Sequence, residues 1–339
     1  MKKLRVGING FGRIGRIAAR IILGREDLEL AAINSRADTS SHSYLLKYDT
    51  VYGTLLNSIK TIAENLEIDG QKVMVFREDL PEEIPWKDAD VDIVIEASGK
   101  FRTKEDVSPH LNNGPKIVVI SAPAKDDTKT LVLGVNEDLF NPKDDKIISN
   151  TSCTTNCLAT VVKVLHNEFR IKNGFMTTVH AVTDSQNLLD NSHKKEPRLR
   201  RSAMGNMIPA STGSAKDIGK LYPDLKGKIV CKALRVPLLT VSIIDLTVEV
   251  EKTTDVATVN NTYRKYSSGL LKNILSVADD ELVSRDYVGN PHSSIVDPYL
   301  TSVMGGHLVK VYAWYDNEWG YTSRLVDMVE FVGKKSGLV

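Results

Sequence analysis

The chain has 339 residues, of which 42% are hydrophobic, and its 44 Lys and Arg balance 43 Asp and Glu to a formal net charge of +1. This length suggests about two domains, and the balanced charge gives no general attraction to nucleic acid or to an anionic membrane surface. Its three cysteines argue against a disulfide framework, so we expect a cytoplasmic protein with neither a signal peptide nor a transmembrane segment.

Short apolar segments and helical patterns alternate through the first half of the chain. The pattern predicts a helix over residues 13–23 and strands over 4–9, 28–34, 91–97, 116–121, 131–135 and 147–149. This alternation is typical of the α/β class, with a Rossmann-type, doubly wound parallel sheet. We assign it to a dinucleotide-binding domain over residues 1–150, joined by a C-terminal helix within 318–339.

The first strand is followed by a glycine-rich turn. The residues Gly10-Phe11-Gly12-Arg13-Ile14-Gly15 fit G-x-G-x-x-G, between a predicted strand and a predicted helix. Such glycines allow a tight turn, close approach of the backbone to a pyrophosphate, and close packing of helix on strand. Because the helix N-terminus also favours phosphate, the sequence predicts dinucleotide binding here.

The second strand ends without the acid that binds the adenosine ribose in NAD enzymes. Ser35 and Arg36 stand at its tip, and Asp38 lies two residues further on. A hydroxyl and a guanidinium are suited to a 2′-phosphate, so we expect NADP to be accepted rather than NAD alone. The alternative is that Arg36 is a solvated charge and NAD binds through the rest of the site.

A cysteine surrounded by polar side chains follows the strand at 147–149. The run is Ser149-Asn150-Thr151-Ser152-Cys153-Thr154-Thr155-Asn156-Cys157, with a helix predicted from about Thr154. The positive end of a helix favours the thiolate, which makes Cys153 a candidate nucleophile. A buried structural cysteine is the alternative. Cys157 has no neighbours at metal-ligand spacing, so we expect it to pack in the core and predict no metal site.

The second half has longer strands, predicted over residues 175–183, 228–236, 241–250 and 307–314, and a helix over 321–332. We predict an α+β catalytic domain over 151–317 with a mixed or antiparallel sheet. His180 is the candidate base for Cys153, with a structural histidine as the alternative. The segment 209–213 and Arg235 suit phosphate, although an N-cap and an ordinary strand charge are the simpler interpretations. The long basic segment 184–206 is either a surface loop or a contact with an anion or a subunit.

Together these segments resemble the phosphorylating, type I glyceraldehyde-3-phosphate dehydrogenase family. The cysteine run is highly specific to that family, and the other motifs follow in order along nearly the whole chain. They are Ile8-Asn9-Gly10-Phe11-Gly12-Arg13-Ile14-Gly15, Thr177-Thr178-Val179-His180, Pro209-Ala210-Ser211-Thr212-Gly213, Leu234-Arg235-Val236-Pro237 and Trp314-Tyr315-Asp316-Asn317-Glu318-Trp319-Gly320-Tyr321.

The resemblance implies oxidation of glyceraldehyde 3-phosphate to 1,3-bisphosphoglycerate with NAD or NADP and inorganic phosphate, in glycolysis, gluconeogenesis or carbon fixation. It implies that Cys153 forms a thiohemiacetal and then a thioester, while His180 lowers the thiol pKa and takes the hydroxyl proton. It also implies a homotetramer in which the loop 184–206 meets a neighbouring subunit. The implied ligand contacts are Thr183 and Arg235 for the substrate phosphate, Ser152, Thr154, Thr212 and Gly213 for inorganic phosphate, and Arg13, Ile14, Ser121 and Asn317 for the cofactor.

Three features depart from the family pattern. Ser35 replaces a common Asp, Asp79 stands where an Arg is frequent, and the stretch Lys194-Lys195-Glu196-Pro197-Arg198 looks longer than usual. An erythrose-4-phosphate dehydrogenase, which favours water as acyl acceptor, is the alternative, but the retained segment 209–213 favours the phosphorylating reaction. The near-neutral charge and the pair Cys153 and His180 argue against a non-catalytic nucleotide-binding or RNA-binding protein as the main role.

Overall fold

The computed structural model describes residues 2–193 and 196–339, and the chain forms two compact units. The first contains the chain up to Leu131, with Glu137–Thr151 and Thr322–Val339. The second contains Val132–Asn136 and Ser152–Tyr321. None of the described helices combines the length and apolar character needed to cross a membrane.

The first unit is built on parallel strands with helices between them. Its helices are α1 (Arg13–Leu23), α2 (Thr39–Lys47), α3 (Lys104–Val107) and α4 (Pro109–Asn112), and most of α8 (Trp319–Lys335) also belongs to it. Its strands are β1 (Leu4–Asn9), β2 (Leu28–Asn34), β3 (Tyr48–Asp49), β4 (Gly53–Thr54), β5 (Ile59–Ile62), β6 (Asn65–Ile68), β7 (Gln71–Phe76), β8 (Ile93–Glu96), β9 (Ile117–Ile120), β10 (Lys129–Thr130) and β11 (Ile147–Ser149).

Nine of these strands form one sheet in the order β10-β11-β9-β8-β1-β2-β7-β6-β5. The strands from β10 to β7 in this order are parallel, while β5 and β6 add an antiparallel edge. Val6 and Ile8 on one face of β1 and Gly7 and Asn9 on the other are buried, as a strand covered on both faces requires. The predicted α/β class with a doubly wound sheet is confirmed. The strand order reverses beside β1, which is where sheets of this kind bind ligands.

The strand predicted over residues 131–135 is wrong. Val132 and Asn136 form a turn instead, in which the Val132 N–H donates to Asn136 Oδ1 at 2.8 Å and the Val135 N–H donates to the Val132 carbonyl at 3.0 Å. Gly134 within it has a φ of +80°, a left-handed conformation that ends a strand. The apolar residues there bury their side chains without entering the sheet.

The second unit is built on a mixed sheet, as predicted. Its strand order is β13-β14-β12-β15-β18-β17-β16, with β12 parallel to β14, β16 parallel to β17, and the other pairs antiparallel. Its strands are β12 (Ile171–His180), β13 (Ile208–Ala210), β14 (Ile229–Arg235), β15 (Ser242–Val250), β16 (Leu275–Val277), β17 (Ser294–Met304) and β18 (Leu308–Tyr315), and its helices are α5 (Cys153–Phe169), α6 (Ser214–Leu221) and α7 (Val256–Ser268).

Helix α5 and the sheet share one core. Side chains of α5 such as Val161 and Leu165 are fully buried with Ile244, Leu246 and Val248 from β15. Burial alternates along the whole of β15, so one face of the strand is in the core while the other is half-buried. This packing fixes the N-terminus of α5 and the ends of β12 and β14, which carry the candidate catalytic side chains.

Candidate active site

Cys153 is the first residue of α5. Ser152 caps the helix, because its hydroxyl accepts a hydrogen bond from the Thr155 N–H at 3.1 Å. Thr151, before it, has a φ of +53°, an unusual backbone conformation for a residue other than glycine. The thiol is thereby held at the positive end of a helix whose opposite face is anchored in the core.

His180 is the last residue of β12 and faces the thiol. Its Nε2 lies 3.5 Å from Cys153 Sγ, and its Nδ1 lies 2.7 Å from the Ala181 carbonyl oxygen. Nδ1 thus faces a carbonyl, which only accepts hydrogen bonds, and it also lies 2.5 Å from the Arg235 guanidinium, which only donates them, so these two contacts favour opposite tautomers. The geometry fixes the orientation of the ring, with Nε2 toward the sulfur.

Arg235 stands beside the imidazole because parallel strands bring the two residues into register. His180 in β12 is the partner of Arg235 in β14. The Arg235 Nη1 atom lies 2.5 Å from His180 Nδ1 and donates to the Ala181 carbonyl at 3.3 Å. A positive charge thus lies next to both groups of the candidate pair.

Burial and the positive charge of Arg235 lower the pKa of His180 to about 3. Burial raises the pKa of the Cys153 thiol, while Arg235 and the Thr154 hydroxyl act in the opposite direction. Both shifts favour a thiol facing a neutral imidazole in the absence of ligand. The role of Cys153 as the nucleophile stays a prediction.

Tyr315 is a part of this cluster that the sequence did not single out. Its buried hydroxyl lies 2.9 Å from Thr154 Oγ1 and 2.8 Å from Thr178 Oγ1, and the edge of its ring packs against His180. It ties the first turn of α5 to β12, next to the nucleophile and the base. The residue lies within the motif 314–321, but only its contacts distinguish it from its neighbours.

A chain of hydroxyl groups connects Ser152 with Thr212, two of the four predicted inorganic-phosphate residues, while the Thr154 hydroxyl faces Tyr315 instead. Ser152 Oγ lies 2.9 Å from Thr155 Oγ1, which donates to Ser214 Oγ at 3.4 Å, and Ser214 Oγ lies 3.0 Å from Thr212 Oγ1. Gly213, the N-cap of α6, has open space where a Cβ would stand. The structure therefore brings Ser152, Thr212 and Gly213 into one connected region through two residues that the sequence did not indicate.

Thr183 begins the loop 184–206 and is half-buried, with its hydroxyl 3.1 Å from Ser185 Oγ. The described part of the loop is folded on itself. The Ala203 N–H donates to the Asn187 carbonyl at 2.9 Å, and Arg201 pairs with Asp190 at 2.9 Å. Lys194 and Lys195, which made this stretch look long, lie outside the described residues.

Asn317 lies in the second unit, next to the strand end that carries the base. Its Oδ1 accepts a hydrogen bond from Ser242 Oγ at 2.9 Å, and Ser242 Oγ accepts one from the Ala181 N–H at 3.1 Å. Ser242 was not predicted. The available signal was a hydroxyl at an inward-facing position of β15, where the alternation calls for an apolar side chain.

The glycine-rich turn of the first unit has the geometry needed to hold a dinucleotide. A Cβ on Gly10 would lie 2.4 Å from the Ser98 nitrogen, and one on Gly15 would lie 2.0 Å from the Gly10 oxygen. A Cβ on Gly12 would have no atom within 4 Å, and no described side chain caps α1 at this residue. The turn therefore offers open space in front of helical N–H groups, which fits a pyrophosphate.

Other predicted cofactor residues lie around this turn. The Arg13 guanidinium pairs with Asp49, so it is the Arg13 and Ile14 backbones that begin the open helix turn. Burial opposes ionisation of Asp49, but hydrogen bonds from Arg13 and from the Tyr52 and Val51 N–H groups lower its pKa below the usual value. Ser121 follows β9, and its N–H donates to the Glu96 carbonyl at 2.9 Å.

At the tip of β2, Ser35 is half-buried and Arg36 is exposed. Arg36 Nε lies 2.7 Å from Asp79 Oδ1, so the charge expected to attract a 2′-phosphate already faces a carboxylate. Asp38, two residues further along, caps α2, because its carboxylate accepts a hydrogen bond from the Ser41 N–H at 2.8 Å.

Comparisons with known proteins address the family directly. The chain matches the model "Glyceraldehyde 3-phosphate dehydrogenase, NAD binding domain" over residues 4–104 and the corresponding C-terminal domain model over 152–317. It is 46% identical over 332 residues to "Glyceraldehyde-3-phosphate dehydrogenase" of Geobacillus stearothermophilus, covering 98% of this chain and 99% of the relative. It is 48% identical over 335 residues to "Glyceraldehyde-3-phosphate dehydrogenase 2" of a Nostoc species, with the same coverage.

The chain belongs to the glyceraldehyde-3-phosphate dehydrogenase family. The resemblance predicted from the sequence motifs is thereby confirmed. Membership in this dehydrogenase family supports an oxidoreductase, and the match to its NAD-binding domain supports a cofactor of the NAD type.

Replacing His180 by Asn should slow alkylation of Cys153 by iodoacetamide at neutral pH. Without the imidazole, nothing takes the thiol proton at Nε2, and burial keeps the pKa of the thiol raised. The rate of Cys153 modification, followed by mass spectrometry across a pH series, should shift its midpoint to higher pH. His307→Asn, an exposed histidine of the same unit, is the control and should leave the profile unchanged. Identical profiles for His180→Asn and the wild type would contradict the assignment of the base.

Proposed function

We propose that this chain oxidises glyceraldehyde 3-phosphate to 1,3-bisphosphoglycerate, with a nicotinamide dinucleotide and inorganic phosphate, through a thioester on Cys153. The observation that carries the proposal is the 3.5 Å contact between Cys153 Sγ and His180 Nε2. The relatives named for this activity cover nearly the whole chain, which supports the same substrate.

In the first step, Cys153 Sγ attacks the aldehyde carbon as its proton moves to His180 Nε2. The carbonyl π electrons move to oxygen, which takes this proton to give a thiohemiacetal. His180 then removes the hydroxyl proton while a hydride leaves the same carbon, and the product is a thioester. When bound, the nicotinamide supplies the acceptor for that hydride.

In the second step, an oxygen of inorganic phosphate attacks the thioester carbon. The carbon–sulfur bond breaks, the acyl phosphate leaves, and the thiolate takes its proton back from protonated His180. In both steps the negative charge develops on the former aldehyde oxygen. The Cys153 N–H at the start of α5 and the protonated imidazole are the donors that stabilise it.

The phosphate groups have two sets of donors in this proposal. Arg235 and Thr183 hold the phosphate of the substrate, since a guanidinium and a hydroxyl match its oxygens. Ser152, Thr154, Thr212 and Gly213 hold the inorganic phosphate. The connected hydroxyl groups of Ser152, Thr155, Ser214 and Thr212 support this second set, because they can rotate to donate to an anion.

The activity is tested by measuring reduction of NAD and NADP with glyceraldehyde 3-phosphate, with and without inorganic phosphate. Cys153→Ser should abolish aldehyde oxidation, and His180→Asn should slow acylation by ~10²–10⁴-fold, the usual loss on removing a general base. Thr212→Val should raise the KM for phosphate more than the KM for the aldehyde. Cys231→Ser, a buried cysteine in β14, is the matched control for the loss of a thiol.

The same assay distinguishes the alternative reaction. Erythrose 4-phosphate oxidised faster than glyceraldehyde 3-phosphate, with a rate independent of phosphate, would favour an erythrose-4-phosphate dehydrogenase. Activity retained in Cys153→Ser would contradict the thioester mechanism for either substrate.

For the cofactor, we propose that NADP is accepted as well as NAD. Gly10, Gly12 and Gly15 shape the phosphate-binding turn, Arg13 and Ile14 begin the helix, and Ser121 lies at the end of β9. The family resemblance also implies a cofactor contact for Asn317. At the ribose end, Ser35 removes the carboxylate that repels a 2′-phosphate, and Arg36 supplies a positive charge. The ion pair of Arg36 with Asp79 limits this preference, because the carboxylate competes with the phosphate.

Two substitutions test the cofactor proposal through the ratio of kcat/KM for NADP to kcat/KM for NAD. Ser35→Asp should lower the ratio by about tenfold or more. The introduced carboxylate cannot donate to the 2′-phosphate, so the charge-assisted hydrogen bond from the Ser35 hydroxyl is lost. Asp79→Asn should raise it by about two- to fivefold, the range of a surface ion pair. Asp88→Asn, another exposed acid, should change nothing. An unchanged ratio in Ser35→Asp would exclude this role for Ser35 and Arg36.

We also propose that the chain forms a homotetramer in the cytoplasm. Phe175 in β12 and Val230 in β14 are register partners whose side chains are exposed on the outer sheet face. Leu188, Leu189 and Met204 are exposed in the loop 184–206, and Met207 is exposed directly after it. Exposed apolar side chains in two such groups are typical of subunit contacts, and the three free cysteines suit a reducing compartment.

Phe175→Lys should reduce the assembly to smaller species, because a charge at an apolar contact must be desolvated. Leu56→Lys makes the same exchange at an exposed apolar residue of the first unit and should leave the assembly intact. The measurement is molar mass by light scattering after size-exclusion chromatography. A tetramer that survives Phe175→Lys, or a wild-type monomer, would contradict the proposed contact.

A further inference from the structure

A buried carboxylate lies at the carboxyl edge of the first sheet, where β8 ends. Glu96 is 1% exposed, and all four of its partners are hydrogen-bond donors. Its Oε1 accepts from the N–H of Ser98 at 2.8 Å and from the Ser98 hydroxyl, while its Oε2 accepts from Asn9 Nδ2 at 2.5 Å and from His110 Nε2 at 3.2 Å. No step of the proposed reaction uses this group.

The second ring nitrogen of His110 shows which tautomer is present. Trp86 Nε1 donates to His110 Nδ1 at 3.0 Å, and both side chains are fully buried. Because an indole N–H can only donate, Nδ1 must accept, and the single proton of the neutral ring is then on Nε2, facing Glu96. Trp86 therefore donates to His110, and His110 donates to Glu96, so this donor chain ends on the carboxylate.

Glu96 fixes both backbone segments that enclose the glycine-rich turn. Asn9 directly precedes Gly10, and Asn34 Nδ2 donates to Asn9 Oδ1 at 2.8 Å, which extends the network to the end of β2. On the other side, the Ala97–Ser98 peptide lies so close to Gly10 that a Cβ there would be 2.4 Å from the Ser98 nitrogen. The carboxylate holds Asn9 with one oxygen and Ser98 with the other.

We propose that Glu96 and His110 are positioning residues for the dinucleotide. They set the separation of the segments at residues 9–10 and 97–98, and hence the shape of the turn that receives the pyrophosphate, at the point where the strand order reverses. This inference rests on the proposed dinucleotide binding at the turn and on no step of the chemistry at Cys153. Both residues act through Asn9 and Ser98 and make no contact with the substrate.

The first test is Glu96→Gln, which keeps the size of the side chain. The carbonyl oxygen of the introduced side chain then accepts from Ser98, and its NH2 group faces the Nε2–H of His110. Two hydrogen-bond donors therefore face each other. We expect the Kd for NAD, measured by isothermal titration calorimetry, to rise about 10- to 100-fold, the value of a charge-assisted hydrogen bond. The kcat at saturating NAD and the KM for the aldehyde and for phosphate should stay within about twofold, since the second unit is unchanged.

Val107→Ala is the control for a general loss of stability. Val107 is fully buried in the core cluster of the same unit that also contains Trp86, and its apolar side chain donates and accepts no hydrogen bond. A Val→Ala change in a core lowers the free energy of unfolding through a cavity without altering the polar network. The thermal unfolding midpoint is recorded for every variant in the absence of cofactor, and Val107→Ala should bind NAD as the wild type does.

A double variant tests the donor chain itself. Trp86→Phe removes the indole donor, so the His110 proton can move to Nδ1 and Nε2 can accept from the amide introduced by Glu96→Gln. The double variant should therefore bind NAD more tightly than Glu96→Gln alone, although Trp86→Phe leaves a cavity and lowers the unfolding midpoint. A role limited to stability predicts weaker binding instead.

Ser98→Ala provides a readout if Glu96→Gln does not fold, because Ser98 is exposed. It should raise the Kd for NAD about two- to fivefold through loss of one hydrogen bond, and Ser98→Thr should restore the wild-type value. A wild-type chain that binds neither NAD nor NADP would overturn the proposed cofactor. A wild type that binds NAD, with Glu96→Gln or Ser98→Ala binding as tightly as Val107→Ala, would overturn the positioning role.

Discussion

The contact between Cys153 and His180 depends on the register of two parallel strands and on the start of one helix. His180 ends β12 opposite Arg235 in β14, and Cys153 begins α5, which packs on the same sheet. The shared core fixes these three ends, and the Tyr315 hydroxyl further links the first turn of α5 to β12. The Ala181 carbonyl and the Arg235 guanidinium, both at Nδ1, hold the ring with Nε2 toward the sulfur.

Burial shapes the chemistry of this cluster as strongly as its geometry. It disfavours the charged forms of both Cys153 and His180, and Arg235 adds a positive charge that favours a thiolate and disfavours an imidazolium. These shifts favour a neutral pair at rest, and in the proposed reaction the thiol proton moves to the imidazole. The same low polarity makes each hydrogen bond to the developing oxyanion stronger than it would be in water.

The first unit shows a comparable arrangement around a different group. Glu96 is buried with four donors around it, and the donors belong to segments that surround the glycine-rich turn. A fully satisfied polar network of this kind is rigid, because every displacement leaves a buried donor without a partner. Each unit therefore contains one of these buried polar clusters close to its own predicted ligand residues.

Much of the architecture could be predicted from the sequence. Four predicted elements of the first half, over residues 4–9, 13–23, 28–34 and 147–149, have the same bounds in the structure, because their apolar patterns and flanking glycine or polar residues mark their ends. The failure at 131–135 has a local cause. An apolar run cannot by itself distinguish a strand from a buried turn, and Gly134 adopts a left-handed conformation there.

The sequence by itself determined the alternating α/β half, the mixed second half, the glycine-rich turn and the cysteine run, since each is a pattern within a few neighbouring residues. Only the tertiary structure decided that His180 Nε2 faces the Cys153 sulfur, that Arg36 pairs with Asp79, and that Tyr315, Ser242 and Glu96 belong to polar clusters. The physical reason is that hydrogen bonds and pKa values depend on partners far apart in the chain and on burial, and both arise only when the sheets have formed.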